Sequence, residues 1–130
     1  MAQRLATVTL VVDDYDEAIA HYVQIIGFEL LEDTALGGGK RWVRVCPAGS
    51  GCAFLLAQAD GEVQRAAIGS QTGGRVGFFI ETDDFDVDYA AMKSRGVAFR
   101  EEPRTEAYGR VVVFADCYGN LFDLIEPARP

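Results

Sequence analysis

Apolar and polar positions along the chain run through one order twice. Val8, Leu10 and Val12 alternate with Thr7, Thr9 and Val11, which predicts a strand over 4–12. An Asp-Asp-aromatic-Asp run follows, Asp13 to Asp16. Asp13 or Asp14 can cap a helix, and Asp16 and Glu17 load its first turn favourably for the helix dipole. Ile19, Tyr22, Val23 and Ile26 mark its apolar stripe and Gly27 its end. Strands follow over 28–34, 40–46 and 52–58, separated by Gly37-Gly38-Gly39 and by the stretch from Pro47 to Gly51. The order then recurs. A strand over 75–81 leads into Asp83-Asp84-Phe85-Asp86 and a helix over 85–94, with Phe85, Tyr89 and Met92 on one face. Gly96 ends it, and strands follow over 97–101, 109–115 and 120–126, the last two joined by a tight turn at Asp116–Asn120.

A repeat of about 65–70 residues is too long for a solenoid unit and implies two equivalent halves. The expected fold class is therefore α+β, with two βαβββ modules, 1–58 and 75–130, joined by a small, polar linker at 59–74. The 130 residues form one domain, since each half alone would be marginal in size. One helix on one face of each sheet leaves the other face to curve around a chamber.

Charge narrows the partners. Twelve basic against 20 acidic residues give a formal net charge of -8, which opposes a nucleic acid or an anionic membrane surface. The early apolar run from Leu5 to Val12 lacks the order of a signal peptide and is far too short to span a bilayer. Cys46, Cys52 and Cys117 show no zinc-type spacing and suit buried or partly buried free thiols in a reducing cytoplasm, with Cys117 in a turn where it could be exposed. The Asp clusters lack the loop of a calcium site and serve as helix caps.

The stretches VTLVVDDYDEAIAHYVQIIGFEL and YGRVVVFADCYGNLFDLIEP resemble the vicinal oxygen chelate superfamily, the glyoxalase, bleomycin-resistance and extradiol-dioxygenase group. The resemblance implies paired βαβββ units, a curved mixed sheet around a chamber, and commonly a homodimer. In members that do chemistry it also implies one divalent metal, held by side chains of the first and last strands of each half. Those positions map here to Thr7, Leu55, Arg75 and Asp123. A guanidinium cannot ligate, and zinc, iron or nickel would want imidazole or several carboxylates. The single histidine, His21, falls on a helix. The expectation is accordingly no metal and no cofactor.

The resemblance makes the first and last strands neighbours, so Arg75 and Asp123 are expected side by side. They would form either an ion pair that replaces the metal or a fork that holds a carboxylate or phosphate of a ligand. Trp42 can stack a planar ligand or pack in a core or interface. Tyr108 and Arg110 are rim candidates, and Thr9, Val11 and Phe79 share the parity of the wall, with Gly77 leaving space beside them. The leading function is a metal-free small-molecule binding protein of the bleomycin-resistance type, with a ligand that is anionic or aromatic. The alternatives are a glyoxalase- or dioxygenase-like enzyme with an atypical site, and a dimeric structural or interaction protein with a vestigial pocket.

Overall fold

The computed structural model describes residues 2–49 and 51–129. The chain divides into two compact units, Met1–Gly69 and Ser70–Pro130.

In the first unit, strand β1 (Thr7–Val12) runs into helix α1 (Tyr15–Ala20), which continues as a π-helical segment, His21–Ile26. Strands β2 (Glu29–Gly37), β3 (Lys40–Cys46) and β4 (Ala53–Gln58) follow. The four strands lie in the order β1-β4-β3-β2, with β1 parallel to β4, so the first and last strands are neighbours as expected. The Asp14 side chain accepts the Glu17 backbone N–H at 2.8 Å and caps the helix. Gly27 closes the segment at φ 97, a left-handed conformation that favours glycine. The buried helical positions are Tyr15, Ala18, Tyr22 and Ile26. The anticipated Ile19 and Val23 are only half-buried: the buried stripe runs through Tyr15, Ala18, Tyr22 and Ile26, at spacings of three and four, and these two flank it. Tyr22, Phe28 and Phe54 meet beneath the helix at ring distances of 5.4 to 6.2 Å. His21 stands half-buried with its ring edge-on to Tyr22. A short helix α2 (Glu62–Ala67) follows β4 and lies against β1.

The second unit repeats the plan with β5 (Val76–Glu81), α3 (Phe85–Arg95), β6 (Ala98–Phe99), β7 (Arg104–Glu106), β8 (Gly109–Ala115) and β9 (Leu121–Pro127). Its sheet has five strands rather than the expected four. The counterpart of the long β2 is broken in two, because Arg100 to Pro103 loop out and Pro103 has no N–H to give to β8. β5 is parallel to β9, and β8 pairs antiparallel with β9. An aromatic chain runs from α3 down through the sheet: Phe85 to Tyr89, Tyr89 to Phe99 at 4.6 Å, Phe99 to Phe114, and Phe114 stacked on Phe122 at 4.9 Å. The β8–β9 turn is held by Asp116, whose carboxylate accepts the backbone N–H groups of Tyr118 and Asn120 and the Asn120 amide. Gly109 has φ +147 and its Hα faces the Glu126 carbonyl so closely that no side chain fits there. Gly77 does not leave open space: the Thr72 methyl occupies the place its Cβ would take.

The Asp-aromatic-Asp turn has the same second use in both units. Arg41 lies over the Tyr15 ring at 5.1 Å and pairs with Asp16 at 2.9 Å. Arg110 lies over the Phe85 ring at 4.7 Å and pairs with Asp86. Each arginine comes from the penultimate strand of its sheet, counted to β3 and β8. Each thereby ties the helix start to the sheet.

Two consequences are measurable. Phe85 is 2% exposed at the head of the aromatic chain. Phe85→Ala should cost about 3–5 kcal/mol in urea unfolding, the range for deleting a large buried ring. Asp14→Ala should cost about 1 kcal/mol by loss of its cap, and Asp84→Ala less, since the Asp84 bond to the Val87 N–H is longer at 3.4 Å.

Candidate functional site

Each sheet packs the helix that follows its first strand, α1 or α3, on one face. In the first unit Leu10, Val12, Val43, Val45 and Leu56 are buried on the helix side. The residues between them point to the helix-free face by the period of two. Register sets a row across that face: Thr9 opposite Leu55, Leu55 opposite Arg44, and Arg44 opposite Glu32. Arg44 forks onto Glu32, with Nε at 3.0 Å and Nη2 at 2.6 Å from Oε1, and its Nη1 approaches the Thr7 hydroxyl at 3.5 Å. Trp42, two residues along β3 from Arg44, shares the face and is 38% exposed.

The second unit holds the equivalent row with different chemistry. Phe79 stands opposite Asp123 and Asp123 opposite Val113. Glu101 closes the row, accepting the Val113 backbone N–H at 3.1 Å. Phe79 is 62% exposed, whereas Asp123 is only 8% exposed. Position by position, Leu55 is replaced by Asp123 and Arg44 by Val113. The carboxylate has arrived in the second row without the arginine of the first. The nearest cation is Arg104, which is engaged elsewhere: with Glu101 at 3.1 Å, with Glu106 at 2.9 Å, and with the Tyr108 hydroxyl at 3.2 Å. The Oδ1 atom of Asp123 is buried and has no hydrogen-bond partner among the described residues. Burial raises the carboxyl above its ordinary pKa, Arg104 opposes the rise, and Glu101 adds to it.

Several sequence expectations change. Arg75 does not stand beside Asp123. It precedes β5, is exposed, and its side chain forms no ion pair among the described residues. The register puts Phe79 there instead; an irregularity between Val76 and Phe78 shifts the pairing by one residue, but Arg75 lies before the strand in either register. In the first unit the partner of Leu55 is Thr9, while Thr7 sits one row away opposite Ala53. Arg110 is not a rim residue of the helix-free face; it lies on the helix side, taken up by Asp86 and Phe85. Tyr108 is exposed and does belong to the cluster beside Asp123, through Arg104. Arg44, Glu32, Glu101 and Arg104 were not singled out. Their strand parity and spacing to Trp42 and to Asp123 could have identified the first two, but the loop that brings Glu101 and Arg104 in has no periodicity to read.

The metal question can be tested on these rows. The positions that the family resemblance assigns to a metal are Thr7, Leu55, Arg75 and Asp123, and those directly opposite each other across first and last strands are Thr9, Leu55, Phe79 and Asp123. They offer one carboxylate and no imidazole, which does not fit a zinc, iron or nickel site. Among the described residues no three His, Cys, Asp or Glu side chains gather to hold a metal ion. Of the thiols, Cys46 is buried, which raises its pKa, while Cys52 and Cys117 are exposed, Cys52 against expectation. No helix among the described residues is long and apolar enough to cross a membrane.

A βαβββ order with a helix on one face of a mixed sheet, repeated twice along the chain, defines a class of proteins. The family model for the Glyoxalase/Bleomycin resistance protein/Dioxygenase superfamily matches residues 4–124, and the chain belongs to this family. An uncharacterized protein of Shewanella frigidimarina is 48% identical over 128 residues, covering 97% of this chain and 95% of its own. Among solved structures, UcmS2 is 30% identical with a TM-score of 0.83, covering 97% of this chain and 99% of that one. TnmS3, an antibiotic binding protein from Streptomyces sp. CB03234, is 30% identical with a TM-score of 0.77, covering 98% of both chains.

The state of Asp123 yields a stability test. The folded chain holds this proton more tightly than the unfolded one, so ionisation of Asp123 takes stability away as pH rises out of the ordinary carboxylate range. Asp123→Leu, which installs the residue found at the equivalent place in the first row, should therefore stabilise the protein at pH 7. The expected gain is about 1–3 kcal/mol, the cost of an unsatisfied buried polar group. It should shrink as the pH is lowered towards 4, about where free carboxyls protonate. Urea titrations at both pH values check this; a loss of stability at pH 7 would show that Asp123 has a stabilising partner.

Proposed function

We propose that the protein is a metal-free binding protein that sequesters a planar organic small molecule on its helix-free sheet faces. The observation that carries this reading is the pair of rows. The places to which the family resemblance assigns a metal carry Thr7, Leu55, Arg75 and Asp123, and the helix-free faces present two exposed aromatic rings, Trp42 and Phe79. Aromatic rings on a sheet give a flat ligand its contact area, and a few polar groups orient it. The residues assigned to the ligand are Thr7, Thr9, Trp42, Leu55, Phe79, Tyr108 and Asp123. The similarity to TnmS3 over nearly the whole chain supports a binding role. The working form is a homodimer in the cytoplasm, where its free thiols are kept reduced.

One observation favours a second reading, an enzyme with an atypical site. A buried carboxylate with a raised pKa and no partner has the properties of a general base. The two readings part on the fate of the ligand.

Trp42 is the sole tryptophan, so its fluorescence reports directly on the first face. A panel of polycyclic aromatic antibiotics should contain members that quench it and raise the melting temperature, by an amount corresponding to about 2.7 kcal/mol at a hundredfold excess over Kd. Trp42→Ala should weaken binding by those ligands, read by calorimetry. Mass spectrometry should recover the bound ligand chemically unchanged; a converted product would favour the enzyme. A panel without a single hit, or one transition-metal ion retained per chain after dialysis, would overturn the proposal. Sedimentation velocity checks the dimer.

A further inference from the structure

The second row has a feature that the first lacks. At its centre is a carboxylate that is nine-tenths buried, with one oxygen lacking any protein donor among the described residues. A carboxylate in that state is costly, and it is normally answered by a donor. In the first row the equivalent demand is met within the protein, because Arg44 forks onto Glu32. In the second row the arginine position is Val113, a side chain with nothing to donate. The charges around Asp123 do not answer it either. Among the described residues the cation acting on it is Arg104, and that guanidinium already serves Glu101, Glu106 and Tyr108. Three carboxylates against one guanidinium leave the cluster net negative. Beside Asp123 on the next strand stands Phe79, a ring more than half exposed on the face of a sheet. A neutral core position would not leave such a ring in water.

We propose that Phe79 and Asp123 form a receptor for a planar organic cation, whose ring system stacks on Phe79 while a protonated nitrogen donates to the Asp123 carboxylate. This rests on the small-molecule reading above and sharpens it. It reverses the expectation of an anionic ligand, which depended on Arg75 lying beside Asp123. Rotation about the last side-chain torsion of Asp123 brings either oxygen to the ligand, since that torsion is broad. A charge-assisted hydrogen bond away from bulk water is among the stronger single contacts a small ligand can make, and the face of Phe79 adds attraction for the cationic ring.

The test uses three probes of similar size on the full chain at pH 7: proflavine, a planar cation; acridone, its neutral relative; and 8-anilinonaphthalene-1-sulfonate, an anion. Binding is followed by calorimetry and by probe fluorescence. Proflavine should bind the native protein more tightly than acridone. Asp123→Asn and Phe79→Ser should each weaken proflavine by about tenfold or more. Binding of the sulfonate should be unchanged or tighter in Asp123→Asn. Val113→Arg offers a second route that leaves Asp123 in place: it supplies the arginine of the first row, and it should weaken proflavine to a similar degree. Circular dichroism confirms that each variant is folded, and either aspartate-directed variant suffices if the other is not. Proflavine affinity unmoved by both, or acridone bound as tightly as proflavine, would overturn the cation receptor and leave the binding function standing. Failure of all three probes together with the antibiotic panel would overturn both.

Discussion

The constraint from which the rest follows is that the helix after the first strand of each unit packs on one face of its sheet. Strand side chains alternate, so every residue of β1, β3 and β4 is assigned by parity to the helix or to the free face. Leu10, Val12, Val43, Val45 and Leu56 take the first option and are almost fully buried. Thr9, Trp42, Arg44 and Leu55 take the second and form a row or its neighbours. A slip of one residue would exchange the two sets, which is why a half-covered sheet fixes its register so firmly. The same holds in the second unit, where Phe114, Phe122 and Leu124 lie beneath α3 and Asp123 and Phe79 lie opposite.

The helix must also be held at one height over the sheet. The turn that opens it does this with three residue types in sequence. The second aspartate caps the helix, the aromatic enters the core, and the third aspartate receives an arginine that lies across that aromatic ring. Arg41 has a further partner in Asp33, whose pKa it lowers through their hydrogen bonds. The two units therefore share a device as well as a topology. Arg110 belongs to it, which accounts for the absence of this arginine from the free face.

Most of the fold was legible because it depends on local patterns. Alternation, caps and closing glycines placed the strands and helices within a few residues, and β3 and β8 to the residue. The helical stripe was less legible: Tyr15 and Ala18 carry its buried side before the π-helical stretch, and an aromatic in a turn and a small residue are weak apolar marks beside Ile19 and Val23. Pro103 was visible, but not that the chain on its far side would rejoin the sheet as β7. The site was legible only in part. That β1 neighbours β4 and β5 neighbours β9 was expected from the family resemblance, yet which residues face each other depends on the offset between strands. The register sets Phe79, four residues beyond Arg75, opposite Asp123, and Arg75 lies before the strand begins. Asp123 itself was found from its place in the closing strand. The loop that carries Glu101 and Arg104 was not, because nothing periodic constrains it.

Comparison of the two rows separates what the fold needs from what a ligand needs. A sheet of this kind tolerates an apolar residue at the last-strand position, as Leu55 shows, and tolerates an ion pair further along the row, as Arg44 and Glu32 show. Both are cheap solutions. Asp123 is neither. Burial imposes a cost on its charge and raises its pKa, it stands beside a valine, and the arginine within range is already committed to other groups. Folding alone gives no reason to keep it there, since the first unit builds the same topology without it. A polar group held at a loss in a scaffold that offers a cheaper alternative is what a binding site requires: the missing donor has to come from outside the chain, and the free energy withheld in folding becomes available when it arrives.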